Sequence, residues 1–140
     1  MVQRSLTAVI NKIEQDLDRV RTEFLTNVAE DLVNTSKPFV DTGAYITSHS
    51  ITTSRGAGRG RSSDNKPKGQ DPNAKGAEAL SQLMGDIAGL PKDQTQVFIT
   101  NNSPHANIVE YKHGYNVYSS VRNRAGLHLA DAVNKVKGSQ

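Results

Sequence analysis

Leu6, Ile10, Ile13, Leu17, Val20 and Phe24 follow one another at gaps of four, three, four, three and four residues. That spacing places all six on one side of a helix, at the heptad period. Val28 and Leu32 carry the seam on with a small drift. Lys12, Glu14, Asp16, Asp18, Arg19, Arg21 and Glu23 lie between them and form a solvated face. Nothing interrupts the pattern before Lys37-Pro38, where proline disfavours the helical conformation of the residue ahead of it. A helix of roughly 30 residues is about 45 Å long at 1.5 Å per residue. The whole chain has 140 residues, one domain's worth, and such a helix exceeds the width of so small a body. The seam is expected to be mainly intramolecular core. The excess length requires that the helix kink or that part of its seam face another subunit.

The rest of the chain reads as short elements. Val40-Asp41-Thr42-Gly43-Ala44 forms a corner, and Tyr45–Thr53, rich in Ile, Thr and Ser, reads as a strand. Ile46 and Ile51 differ in parity, so that strand is either bulged or partly buried on both faces. Ala77–Leu90 reads as a second helix with Leu80, Leu83, Met84 and Ile87 inward, stopped by Gly89 and Pro91. Thr95–Thr100 reads as a strand, with Val97 and Ile99 on one side. Asn101 and Asn102 then form a turn, and Ser103-Pro104 starts a helical turn with a hydroxyl cap and proline at its first position. Ala106 and Val109 face inward there, Glu110 and Tyr111 follow, and Gly114 ends it. Tyr115–Tyr118 is read as one more short strand. A last helix capped by Ser119 or Ser120 runs to Lys137, with Ala125, Leu129, Ala132, Val133 and Val136 inward. The fold class is α+β: a small, mostly antiparallel sheet packed against a long N-terminal and a C-terminal helix.

Hydrophobic residues make up 35% and aromatics 5% of the chain, so the core is thin and a sizeable part is unpacked. Ser54–Lys75 is that part. It holds four glycines, two prolines and three serines, and its six cations against two anions carry the basic character of the chain. The remaining eleven cations and twelve anions leave a nearly neutral body. Such a segment is expected to be a disordered loop, because it buries too little apolar surface to offset its ordering entropy. Arg55, Arg59, Arg61, Lys66 and Lys68 suit nucleic acid, although no aromatic lies among them to stack a base. An acidic protein partner suits them equally.

Chemistry-bearing motifs are sparse. The absence of cysteine excludes disulfides, thiol nucleophiles and cysteine zinc sites. There is no apolar run of about 20 residues and no signal-peptide pattern, so a cytoplasmic protein without a membrane span is expected. The triplets at Asn34 and Asn101 are then chance matches to the glycosylation pattern. Asp41-Thr42-Gly43 has the form of the aspartic-protease signature, but a long helix precedes it and the chain carries no second copy, so only a homodimer could assemble the proton-sharing pair. The residues fit a turn, in which the aspartate bonds its own backbone and glycine supplies a positive φ. His105, Glu110 and His113 match no zinc spacing and lack a fourth ligand. There is no serine–histidine–acid order, no Walker loop and no dinucleotide-binding turn. His49 is too far from the others in sequence to place. No catalytic residue, metal or cofactor is expected.

Asp41-Thr42-Gly43-Ala44, a Ser/Thr-rich strand, a long variable loop, and a strand leading into Asn102-Ser103-Pro104-His105-Ala106 and Val109-Glu110-Tyr111 give the chain its resemblance. It resembles the tail-completion and head-to-tail joining family of tailed bacteriophages. Members open with a long amphipathic helix, followed by a V-D-T-G-x-L/Y corner and an N-x-x-P-Y-A-x-x-V-E-F/Y-G element. Here His105 stands in place of the usual tyrosine, and Lys112 and His113 intervene before Gly114. The apolar-proline segment that usually precedes the last helix is absent. The resemblance implies a structural, non-enzymatic protein of the virion neck, assembled in the host cytoplasm, commonly as a ring. Its partners would be the connector or stopper, the tail terminator and the tail tube, with DNA in the channel as a possible contact. It also implies that Asp41, Thr42, Gly43, Pro104, His105, Ala106, Val109, Glu110 and Tyr111 are interaction residues. A tail terminator capping the tube is the neighbouring alternative, and a nucleic-acid-binding module acting through Ser54–Lys75 is the alternative of a different class.

Overall fold

Pro38 ends the long helix where expected. Helix α1 spans Val2–Ser36, and Lys37–Phe39 tightens into a 3-10 turn that Val40 closes by donating its N–H to the Lys37 carbonyl. The computed structural model describes residues 2–40, 45–54, 58–59, 69–92, 96–103 and 116–138. Along these the order is α1, a 3-10 turn at Ile46–Ser48, β1 (His49–Thr52), α2 (Pro72–Ala88), β2 (Phe98–Asn101), α3 (Val117–Asn123) and α4 (Ala125–Gly138). Strands β1 and β2 pair antiparallel, with Ile51 opposite Ile99 and His49 opposite Asn101. The class is α+β, as read from the sequence.

Helices α2 and α4 both run antiparallel to α1. Gly76 of α2 lies beside Val33 and Lys37, while Arg21 donates to the Pro91 and Lys92 carbonyls just beyond the other end of α2. His128 of α4 meets Asp31, and Lys135 meets Glu23. A Cβ on Gly76 would stand 3.4 Å from Val33 Cγ1 and closer still to the Lys37 stem, so glycine lets α1 and α2 approach closely. The core falls into two adjoining clusters. Leu25, Ala29 and Val33 of α1 pack with Ile46, Ile51, Ala79, Leu83 and Ile87. Val28 and Leu32 pack with Tyr45, Val117 and Val121. Helix α1 therefore buries two stripes, because helices and sheet flank it on both sides.

Several expectations are corrected. The seam is not core along its whole length: Val28 and Leu32 are buried, but Ile10, Ile13 and Leu17 are exposed. Helix α2 starts at Pro72 rather than at residue 77, because Asp71 caps it through the Asn73 N–H at 3.0 Å and proline occupies its first position. Pro72–Lys75 therefore belongs to a helix and not to a loop. The first strand is shorter than read, since Tyr45 is a turn residue and Ile46 lies in the 3-10 turn. His49, Ser50 and Ile51 are all buried, so both faces of β1 are covered. Val117 and Tyr118 begin a helix, not a strand, preceded by Asn116 in the left-handed region at φ 51°. The last helix is broken at Arg124, and Leu129 points outward while Ala132 and Val136 pack inward.

Candidate interaction surfaces and the polar clasps behind them

Of the residues singled out in the sequence, Arg59 is the one that falls among the described residues. Asp41, Thr42, Gly43, Arg55, Arg61, Lys66, Lys68 and Pro104 to Tyr111 lie outside them. Arg59 is not a free cation on a loop. Its guanidinium grips Asp86 of α2 with two bonds, Nη2 to Oδ1 at 2.8 Å and Nη1 to Oδ2 at 2.9 Å. It also donates to the Gln82 carbonyl at 2.9 Å, to Ser50 Oγ at 3.0 Å and to the His49 carbonyl. Its own N–H reaches Ser50 Oγ at 2.8 Å. Gly58 is pressed onto the sheet, where a Cβ would stand 2.8 Å from Thr100 Oγ1 and 3.2 Å from Ser50 Cβ. The reading of Ser54–Lys75 as uniformly disordered is thus corrected at Gly58-Arg59 as well. The planar fork and five donors of arginine fit a carboxylate and two carbonyls at once.

His49, which the sequence could not place, lies at the centre of the body and is 1% exposed. Ser36 Oγ donates to the Leu32 carbonyl at 2.6 Å, so its oxygen can only accept from His49 Nε2 at 3.0 Å. His49 is therefore the Nε2–H tautomer. Its Nδ1 lone pair accepts from the Tyr118 hydroxyl at 2.8 Å and from Asn101 Nδ2 at 3.2 Å. Asn101 also donates to the Tyr45 carbonyl at 2.8 Å and accepts the Ser103 N–H at 2.9 Å. Burial, assisted by the Arg59 charge, pushes the His49 pKa down to about 3. The Ser36–His49 distance is that of a catalytic dyad, but the hydroxyl proton points away from the imidazole and Ser36 is 1% exposed. The pair is a structural tie between α1, β1, β2 and α3.

A second clasp holds the α3–α4 corner. Arg124 sits in the break at φ −95° and ψ 0° and donates to Asp31 through Nε at 2.8 Å and Nη2 at 2.7 Å. His128 Nε2 lies 2.6 Å from the same carboxylate, and Thr35 donates to it at 3.0 Å. Burial alone would raise the Asp31 pKa. The bonds from Arg124, His128 and Thr35, with the Arg124 charge, outweigh burial and hold it at about 2. Among the described residues, no cluster of three or more histidine and acidic side chains is arranged to hold a metal ion.

Outside these ties, the described residues also expose apolar surface. Residues 8–15 of α1 are all exposed, and Val9, Ile10, Ile13 and Leu17 are between 52% and 65% exposed. This is a stem: from Ala8 to Leu17, about 15 Å of helix, every side chain but the half-buried Asp16 is exposed. Asp16 of the stem pairs with Lys12 and Arg19. At the base of the stem lies a groove of about 460 Å³, lined by Phe24, Val28, Leu32, Ile99, Tyr118 and Ala125 among others. No helix of the described residues is long and apolar enough to cross a membrane.

No protein-family model, curated protein or solved structure matches the chain.

Proposed function

We propose that this chain is a structural protein of a tailed-phage neck, which completes the tail and joins it to the head connector as one subunit of a ring. In this reading it is not an enzyme and uses no cofactor. It is assembled in the host cytoplasm and resides in the virion, with connector or stopper, tail terminator and tail tube as neighbours. The observation that carries the proposal is the stem: about 15 Å of helix, from Ala8 to Leu17, with four large apolar side chains open to water. An exposed apolar stripe of this kind is the mark of a surface that meets a partner. The order of elements and the motif resemblance supply the kind of assembly.

Capping of the tail tube uses the same surfaces and remains the neighbouring role. Nucleic-acid binding through the basic segment is the alternative of a different class, and it would have to proceed without Arg59, which is paired with Asp86. The test is electron microscopy of particles produced without this chain. Separate full heads and finished tails support the proposal. Normally joined virions overturn it, and joined particles with overlong tails move the role to tube capping.

A further inference from the structure

Two apolar surfaces on this chain are unpartnered among the described residues, and they differ in shape. The stem stripe is convex. Val9 to Leu17 is nine residues, a rise of about 12 Å along the helix. The groove is concave, and its floor from Phe24 to Leu32 covers the same rise. At about 460 Å³ the groove has room for several aliphatic side chains. The stem cannot fill the groove of its own molecule. Phe24, Val28 and Leu32 belong to the same unbroken helix as Val9 and Leu17, so the stripe runs into the groove and cannot fold back over it.

We propose that the stem of one copy lies in the groove of the next, seating Val9, Ile10, Ile13 and Leu17 against Phe24, Val28, Ile99, Tyr118 and Ala125. Charge is complementary as well as shape. Glu14 is exposed beside the stripe, four residues after Ile10 and three before Leu17, and Arg122 is an exposed residue on the groove wall. Neither has a partner within the chain among the described residues. The contact is a helix laid in an apolar groove. Because it joins two different patches, it is heterologous: each copy offers a stem and a groove that no described residue covers, and repetition closes a ring or extends a filament. The stripe is smaller than a standard interface of about 800 Å² per partner, so a single junction is weak and a closed ring gains by linkage. This inference rests on reading the chain as an assembly subunit, but not on which particle it serves.

The chain has no cysteine, which makes the test clean. Ile13→Cys and Ala125→Cys chains are mixed in equal amounts in a glutathione redox buffer, where only thiols held close together stay oxidised. Ser81→Cys, exposed on α2, replaces Ala125→Cys in a control mixture. Ile13 is exposed and Ala125→Cys is a small change, so both variants should fold. The expected result is a disulfide between positions 13 and 125 at about tenfold the yield of 13 with 81 or of 13 with 13. A predominance of 13–13 species means that stems pair with stems, and yields equal to the control mean that the groove is not the seat; either overturns the proposal. The functional reading fails separately, if virions join without the chain while the 13–125 disulfide still forms.

Discussion

The Arg59 guanidinium and the Asp86 carboxylate together stand where a third strand would lie beside β1. Arg59 donates to the His49 carbonyl, and Asp86 Oδ2 accepts the Ile51 N–H at 3.0 Å, so the outward backbone groups of β1 are met by side chains. A sheet edge left open invites pairing with other chains. Here an ion pair, braced by α2 and by Gly58-Arg59, closes it.

Removing one partner of that pair should be costly and not additive. Arg59→Ala and Asp86→Ala should each destabilise the fold by about 2–3 kcal/mol, and the double variant by clearly less than their sum. Arg59→Lys should recover little, since an ammonium cannot reach the carboxylate and the carbonyls together. Urea denaturation of the four chains measures the coupling. Full additivity would show that the pair does not act as a unit.

Gly58→Ala should cost about 1–2 kcal/mol, because its Cβ would meet Thr100 Oγ1 at 2.8 Å. Thr100→Ala in the same chain should recover most of that loss. Thermal unfolding of the single and double variants checks it, and an unaltered Gly58→Ala chain would contradict the close approach.

His49 gives stability a definite pH dependence. Its folded pKa of about 3 lies below the ordinary histidine value of 6.5, so between those limits the unfolded chain takes up a proton that the folded chain refuses. Its contribution is complete above pH 6.5 and is lost as pH falls toward 3, at about 1.4 kcal/mol per unit. Denaturation midpoints should hold between pH 7.5 and 6.5 and then fall toward pH 4 in the native chain, and fall less steeply in His49→Gln. Equal slopes would mean that His49 is not held neutral.

Asp31 acts at lower pH. Its carboxyl is held at about 2 against an ordinary value of 3.8, so its contribution is present above pH 3.8 and lost on acidification toward 2. With solvent screening the loss should be on the order of 1–2 kcal/mol. Asp31→Asn should remove that limb of the acid titration, monitored by circular dichroism, and an unchanged limb would contradict the clasp.

What was legible in the sequence was whatever local chemistry decides. The heptad run and Pro38 fixed α1 and its end, and the apolar spacing of Leu80, Leu83 and Ile87 located α2. Asp71-Pro72 was an equally plain start signal, obscured by the glycine and charge around it. What was not legible depends on contacts across the chain. Arg59 reads as one more cation in a basic run, and only the fold brings Asp86 to it, 27 residues on. His49 looks like a surface histidine until Ser36, Asn101 and Tyr118 close around it. The seam of α1 is uniform from Leu6 to Leu32 in sequence, and nothing local says that α2 and α4 stop beside Arg21 and Glu23. The Tyr115–Tyr118 strand was misread because Asn116 can take the left-handed conformation that starts a helix there.

The central claim, that the body exists to hold a stem used in assembly, separates fold from function at two residues. Ile13→Asp with Leu17→Asp changes only exposed positions, so the melting temperature should stay within about 3 °C of the native chain. Supplied in place of the native chain during particle assembly, this variant should leave heads and tails unjoined under the electron microscope. Joined virions at the native yield, from a variant that folds as well as the parent, would contradict the account.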